Sequence, residues 1–464
     1  MGLSSDTIQE VGHHVSPHIF RAYDIRGVVD EGLTEETVML IGKAIGTVAL
    51  SKNQQQIMIG RDGRLSGKKL SAALSKGLLS TGINVIDIGM VPTPLVYFSG
   101  PSSVMLTGSH NPANYNGLKI TLAGETLSGE GILALYLLIR KGQFAIGNGV
   151  YETKNILPEY SQKILADIKL ARPLKVVVDC GNGVAGILAP ELLTKLNCTV
   201  IPLFCEVDGR FPNHHPDPSQ PKNLNDLIKA VIENEADIGL AFDGDGDRLG
   251  VVTNLGEIIW PDRVLMLYAQ AILAKQPGAE IVFDVKCSKH LTEVIEQAGG
   301  VATMNQTGHS FMKAKMHSSR APLGGEMSGH FFFQDRWYGF DDAIYAACRL
   351  LEILSHHPES ASVNFAMLPN SINTPEINIG IPDEKKFIFI EHLKKQLDIP
   401  EANLITLDGL RVELPMGWGL VRASNTTPNL VLRFEAVTQA ELLRIQVLFK
   451  QAMQAIEPNL VFPF

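Results

Sequence analysis

The chain has 464 residues, 45% of them hydrophobic and 19% charged, with a formal net charge of −9. That length predicts several domains of about 100 to 150 residues rather than one core, and the composition excludes a disordered or fibrous protein. The acidic balance gives no field for gripping nucleic acid and no Lys/Arg-rich run changes that, so an anionic ligand has to be held by local basic residues.

Read from its start, the chain shows no cationic stretch leading into an apolar core, and Asp6 stands where a myristoylation signal needs Ser or Thr. No apolar run approaches the length of a membrane span, so no membrane partner is expected. The strand at 57–63 opens a unit that recurs at 176–181 and 281–285. Each copy continues through a helical stretch to a second strand, at 82–87, 198–202 and 300–304. Strand, helix, strand implies a right-handed parallel crossover.

Each copy then delivers a polar loop after a third apolar stretch, at 107–112, 243–248 and 324–330. Open α/β sheets bind ligands beyond the carboxyl ends of their strands, so the three loops are candidates for one shared cleft. After about residue 370 the pattern changes, ending in a polar segment at 422–429 and a strand at 430–434. The expected fold class is α/β: three similar mixed α/β domains at 1–155, 156–258 and 259–369, built on strand-helix-strand units, plus a C-terminal α+β domain at 370–464.

Within the first polar loop, Ser109 lies between Gly108 and His110, ahead of Asn111 and Pro112. A serine-hydrolase elbow is excluded, because Thr107 stands where that turn needs Gly; Gly308-His309-Ser310 fails likewise at Met312. Alone, Ser109 reads as a turn or cap serine. A P-loop around Gly67-Lys68 fails at Asp62 and Lys69.

Gly181, Gly183 and Gly186 form a GxGxxG after a strand, with Glu206 where a dinucleotide fingerprint places its ribose contact. This keeps an NAD-dependent oxidoreductase as a rival reading, although the same glycines serve any tight strand-to-helix turn. The five cysteines, Cys180, Cys198, Cys205, Cys287 and Cys348, have no CxxC spacing. That disfavours a zinc site and a secreted disulfide framework, and a cytoplasmic location is expected. The pairs His13-His14, His214-His215 and His356-His357 lack partners at ligand spacing and read as surface or loop histidines.

Asp243, Asp245 and Asp247 alternate with glycines, so three carboxylates can fold around one hard divalent cation without crowding. An EF-hand is excluded by Arg248 and Asn254, which occupy its Gly and Glu positions. A turn without metal would leave three neighbouring carboxylates repelling each other. With three protein ligands, magnesium keeps positions open for water or a phosphate oxygen.

Taken in order, the segments at 20–27, 107–112, 243–248, 325–330 and 422–426 resemble the signature segments of the α-D-phosphohexomutase superfamily, in its bacterial phosphomannomutase/phosphoglucomutase branch. The resemblance spans 20–434 and implies a heart-shaped molecule with a central cleft. It implies that Ser109 carries a phosphoryl group and that Mg²⁺ is held by Asp243, Asp245, Asp247 and a phosphoserine oxygen on Ser109. Lys119 and His309 become the acid/base candidates, with their division of labour open, and Arg248 contacts the transferring phosphoryl.

The same resemblance assigns substrate contacts to Tyr23, Arg26, Lys286 and His309, to the sugar loop Glu326, Met327, Ser328, Gly329 and His330, and to Arg422, Ala423, Ser424, Asn425 and Thr426 around the distal phosphate. The implied activity is reversible phosphoryl transfer between the 1- and 6-positions of mannose and glucose phosphates. Hexose 1,6-bisphosphate serves as intermediate and activator, small sugar phosphates are the partners, and a monomer is expected. Phosphoglucosamine mutase is the rival within the family. A non-catalytic sugar-phosphate-binding protein is the other rival outside it.

Overall fold

The computed structural model describes residues 15–464 apart from Asp398, Glu401 and Thr426. The readings of the chain start and of His13 and His14 therefore lie outside the described residues, as does the expectation for Thr426. Among the described residues no helix is long and apolar enough to cross a membrane.

The first sheet begins with β1 (Ile25–Val28), followed by α1 (Glu35–Ser51). Thr34 caps that helix by accepting from the Thr37 amide at 3.1 Å, and Glu35 and Glu36 sit favourably in its first turn. Val38, Ile41, Ile45 and Ala49 recur on one face and are fully buried, which pins the helix to the sheet. Then come β2 (Gln56–Arg61), α2 (Gly67–Leu79), β3 (Asn84–Met90), α3 (Thr93–Phe98), β4 (Ser103–Leu106), β5 (Tyr115–Leu122), β6 (Glu125–Thr126), α4 (Glu130–Lys141) and β7 (Tyr151–Thr153). The sheet order is β1-β5-β4-β2-β3-β7, with β6 beside β5.

The second sheet is built from α5 (Leu157–Asp167), β8 (Lys175–Asp179), α6 (Ala189–Lys195), β9 (Thr199–Leu203), α7 (Asn225–Glu233), β10 (Ile238–Phe242), β11 (Leu249–Thr253) and β12 (Ile258–Ile259), in the order β12-β11-β10-β8-β9. The third follows with α8 (Pro261–Leu273), β13 (Glu280–Asp284), α9 (Lys289–Gln297), β14 (Val301–Asn305), α10 (His309–Ser319), β15 (Leu323–Gly325), β16 (Phe331–Phe333), α11 (Ala343–His356) and α12 (Ala361–Ala366), in the order β14-β13-β15-β16.

One rule governs all three. The opening strand is flanked in parallel by the second and third strands, as the crossover reading requires. The third strand then reverses through the polar loop into an antiparallel fourth, β4 into β5, β10 into β11 and β15 into β16. These return strands went unread in the sequence, and they make the sheets mixed. They also correct the third loop: Gly324 and Gly325 belong to β15, so the loop proper starts at Glu326.

The last sheet comprises β17 (Ile372–Asn373), β18 (Ile377–Gly380), α13 (Asp383–Gln396), β19 (Asn403–Ile405), β20 (Leu410–Leu414), β21 (Gly417–Ala423), β22 (Asn429–Ala436) and α14 (Gln439–Ile456). Its pairings are antiparallel. Leu432 and Phe434 pack with Leu442, Ile445 and Phe449 in a core of its own. The first sheet also has its own core, around Ile41, Ile59 and Leu106. The second and third share a continuous one, joining Val178 and Phe242 to Tyr268, Phe331 and Ile344, and Leu95 of α3 and Met105 of β4 pack into it as well.

The last sheet meets the third through polar side chains and through a small apolar cluster in which Trp418 and Leu420 pack on Val285 and Met304. Arg411 Nη1 donates to the carbonyls of Val285 and Cys287, each at 2.7 Å, while Arg433 Nη1 reaches Asp262 Oδ2 at 3.0 Å and the Lys286 carbonyl.

Candidate active site

Ser109 adopts a left-handed backbone with φ +47°, a conformation that costs a non-glycine residue energy and recurs at functional turns. The surrounding contacts hold it there. Thr107 Oγ1 accepts from the Ser109 amide at 2.7 Å, and Asp62 Oδ2 accepts from Thr107 Oγ1 at 2.7 Å and from the Gly108 amide at 3.2 Å. Arg64 grips the other side of the loop. Its Nη2 donates to the carbonyls of Ser109 and Asn111, and its Nη1 to those of Pro112 and Tyr115. Gly108 is required here, because a Cβ would lie 2.4 Å from the Arg64 guanidinium carbon.

Ser109 Oγ donates to Asp243 Oδ2 at 2.9 Å, which links the first loop to the second. Asp243, Asp245 and Asp247 are fully buried, and one oxygen from each lies within 4.8 Å of the others. Lys119 on β5 bridges two of them, at 2.7 Å from Asp245 Oδ2 and in contact with Asp247 Oδ2. Asp245 Oδ1 has no hydrogen-bond partner among the described residues. Burial, and then repulsion from Asp245 and Asp247, pushes the Asp243 carboxyl well above its usual range. Burial also opposes ionisation of Asp247, but Lys119 and His330 hold it well below that range.

A buried oxygen without a donor and a carboxylate short of positive charge both fit a hard divalent cation. Four oxygens are available to it: one from each aspartate, and one on the Ser109 side.

Above this floor lies a cavity of about 350 Å³ lined by residues from all four sheets. Five basic side chains reach it, Arg26, Lys119, Arg248, Lys286 and Arg422, so an acidic chain presents a basic cleft. Arg422 Nε is fixed by Asp408 Oδ2 at 2.9 Å, and the same Asp408 oxygen accepts from the Thr307 amide at 2.9 Å. Lys286 Nζ pairs with Glu376 Oε1 at 2.5 Å, and Arg26 Nη2 with Asp24 Oδ2 at 2.5 Å.

In the loop at 326–330, Glu326 Oε1 accepts from the Gly308 amide at 2.6 Å, and Oε2 lies 3.0 Å from His330 Nδ1. Burial disfavours a charged His330, but Asp247 and Glu326 raise its pKa to about 9. His309 opens α10 against the edge of Tyr23, with ring centroids 5.4 Å apart. Neither of its ring nitrogens has a hydrogen-bond partner among the described residues. Burial and the nearby Lys313 and Lys119 hold its pKa well below the usual value.

Four families match the chain in succession, described as "Phosphoglucomutase/phosphomannomutase, alpha/beta/alpha" domain I over 17–145, domain II over 158–256 and domain III over 260–370, and as the C-terminal domain over 376–452. The chain belongs to the phosphoglucomutase/phosphomannomutase family. It is 58% identical to the phosphomannomutase/phosphoglucomutase of Pseudomonas putida over 451 residues, 96% of this chain and 97% of that one. It is 50% identical to a phosphoglucomutase of Neisseria meningitidis over 459 residues, 97% and 99% of the two chains. The crystal structure of a phosphoglucomutase/phosphomannomutase family protein from Burkholderia thailandensis superimposes with a TM-score of 0.92 at 47% identity, covering 97% of this chain and all of that one.

The cleft gathers Tyr23, Arg26, Ser109, Lys119, Arg248, Lys286, His309, Glu326, Ser328, His330, Arg422, Ser424 and Asn425. Other residues of the family motifs sit elsewhere. Met327 is packed in the core shared by the second and third sheets, Gly329 passes its carbonyl to the Leu249 amide, and the Ala423 side chain lies in the last sheet's core. The Gly181 to Gly186 turn is filled by protein rather than open to a dinucleotide. A Cβ on Gly186 would lie 2.0 Å from the Cys205 carbonyl oxygen, and Asn182 Nδ2 donates to the Glu206 carbonyl at 2.8 Å.

Asp62, Arg64, Asp408 and Glu376 escaped the sequence reading. Arg64 and Asp62 follow a strand end directly, and only that position hinted at them.

Proposed function

We propose that this chain is a phosphomannomutase/phosphoglucomutase in which phospho-Ser109 exchanges a phosphoryl group with the 1- or 6-hydroxyl of a hexose phosphate. The observation carrying this reading is the hydrogen bond from Ser109 Oγ to Asp243, in a cleft that Arg422 of the last sheet also lines. A nucleophile beside a carboxylate cluster and an independent phosphate seat are what a bisphosphate needs if it is to turn over without leaving.

The chain's own residues have separable tasks. Asp62 and Arg64 hold the loop that projects Ser109. Mg²⁺ held by Asp243, Asp245, Asp247 and a phosphoserine oxygen would supply charge neutralisation to the transferring group. Lys119 stays ion-paired to Asp245 and Asp247. His309, buried, with neither ring nitrogen hydrogen-bonded and Nδ1 3.9 Å from Asp341 Oδ2, is suited to take the proton from the attacking hydroxyl. Arg422 and Lys286 seat the distal phosphate, Arg248 the reacting one. Glu326 and Ser328 accept from sugar hydroxyls in either orientation, because a carboxylate retains free lone pairs after binding the Gly308 amide.

The division into domains at 1–155, 156–258, 259–369 and 370–464 goes with this reading and rests on the four sheets. So does a monomer, since the four sheets of one chain complete the cleft, and a cytoplasmic location goes with the five free cysteines.

The test is an intact-protein mass before and after phosphatase, read with mutase assays on mannose 1-phosphate and glucose 1-phosphate. A removable phosphate that maps to Ser109 is expected. Ser109→Ala should fold normally and lose nearly all turnover. Wild-type turnover in that variant, with no other residue phosphorylated, overturns the mechanism.

A further inference from the structure

All five cysteines are free, and two of them meet. Cys180 follows β8 and Cys205 follows β9, so the two adjacent parallel strands deliver both thiols to the same carboxyl end of the second sheet. Their sulfurs lie 3.5 Å apart. Cys180 is fully buried, whereas Cys205 is partly exposed. The buried Cys287 donates instead to Asp284 Oδ1 at 3.2 Å.

We propose that Cys180 and Cys205 form a reversible disulfide under peroxide, and that closing it lowers turnover. Cys205, the accessible sulfur, attacks the peroxide: an S–O bond forms, the O–O bond breaks and hydroxide leaves to become water. Cys180 then attacks the sulfenic sulfur. An S–S bond forms, the S–O bond breaks, and the departing hydroxide takes the Cys180 proton. Two thiols and one peroxide thus give one disulfide and two waters. Cys205 Sγ donates towards Cys180 Sγ at 3.5 Å and towards the Val178 and Leu203 carbonyls at 3.3 and 3.4 Å, and its greater exposure makes it the sulfur that meets peroxide first, with the buried Cys180 as resolving group.

The route to the catalytic loop is contiguous. A disulfide requires sulfurs at about 2.05 Å, so the segments after β8 and β9 have to draw together. They have little slack. The Cys180 amide donates to the Leu203 carbonyl at 3.1 Å, the Asn182 amide to the Phe204 carbonyl at 2.8 Å, and the Asp208 amide to the Asn182 carbonyl at 3.0 Å. Further along the same segment, the Phe211 ring lies 5.2 Å from the guanidinium of Arg64. Arg64 in turn holds the Ser109 carbonyl at 2.7 Å. From the other side, His215 Nε2 contacts the carbonyl of His110. Movement at Cys205 therefore reaches the Ser109 loop through Phe211 and Arg64.

The test uses the full purified chain, treated with hydrogen peroxide, unfolded in denaturant and alkylated with and without prior reduction. A cross-linked Cys180/Cys205 peptide, lighter by two hydrogens, is expected, together with a severalfold fall in glucose 1-phosphate turnover that dithiothreitol restores. Cys205→Ser and Cys180→Ala should each give no cross-link and escape the reversible loss. The cross-link readout is independent of the proposed activity, so its failure is distinguishable from a wrong substrate. Both thiols still alkylatable after peroxide, sulfinic or sulfonic acid in place of the cross-link, or full cross-linking with unchanged turnover would each overturn the proposal.

Discussion

Arg64 Nη2 donates to the carbonyl of Ser109 at 2.7 Å, so a side chain outside every recognisable motif fixes the backbone of the proposed nucleophile. Arg64 also neutralises the buried Asp62, at 3.1 Å. Arg64→Ala strands that carboxylate and is expected to lower stability by about 3 to 5 kcal/mol. Arg64→Lys keeps the charge but cannot serve four carbonyls, so it should recover stability more than turnover. Denaturant unfolding and kcat, measured on the same samples, check both. Wild-type kcat in Arg64→Lys would show that the loop needs only the charge.

Chelation is expected to abolish turnover and Mg²⁺ to restore it. Asp245→Asn keeps the shape of the side chain and its bond to Thr93 but removes charge from the floor of the cleft. Its turnover should fall by more than the roughly tenfold to hundredfold typical of changes outside a metal's direct ligands. In chelator its unfolding midpoint should hold or rise, because one of three mutually repelling carboxylates is gone. Activity in chelator with metal analysis showing no ion would remove the metal from the reaction.

Arg422→Ala is expected to raise KM for hexose phosphates roughly tenfold or more, the scale of losing a hydrogen bond to a charged group. Initial phosphorylation of Ser109 should survive. Asp408→Asn, which loosens the Arg422 fork without removing it, should give a smaller rise in KM. Unchanged KM and kcat in Arg422→Ala would assign the distal phosphate to another group.

Asp342 caps α11 and accepts from Tyr160 Oη, Trp337 Nε1 and the Tyr345 amide, yet burial pushes its pKa up to about 7. A carboxyl that holds its proton more tightly when folded stabilises the protein most below its unfolded pKa of about 4. That contribution is lost as pH rises through about 7. Wild type should therefore lose roughly 2 to 4 kcal/mol relative to Asp342→Asn between pH 5 and pH 8, by denaturant unfolding. A pH-independent difference would show that the three donors keep Asp342 ionised throughout.

The polar loops were legible because their chemistry is written in short runs: Asp243, Asp245 and Asp247 alternate with glycine, and Ser109 follows one. The opening strands announced themselves through uninterrupted apolar residues such as Val176 to Val178. Arg64 was not legible, because its partners are carbonyl oxygens that every residue possesses. Asp408 and Glu376 are single acids whose meaning comes only from the arginine and lysine that the fold brings to them. Met327 and Ala423 show the converse, since their side chains pack into cores behind the loops. A family motif records residues that shape a loop from behind together with those that face the ligand, and the linear pattern cannot separate them.

The last sheet is fastened to the third by the oriented hydrogen bonds of Arg411 and Arg433 and only a small apolar cluster around Trp418, whereas the second and third sheets are joined by an extensive apolar core. Hydrogen bonds can be traded for water at small net cost; buried hydrocarbon cannot. Amide exchange should therefore divide the molecule unevenly. Residues of β8, β10, β13 and β15 should open together as one cooperative unit, while the sheet that carries Arg422 detaches at lower free energy with its own interior intact.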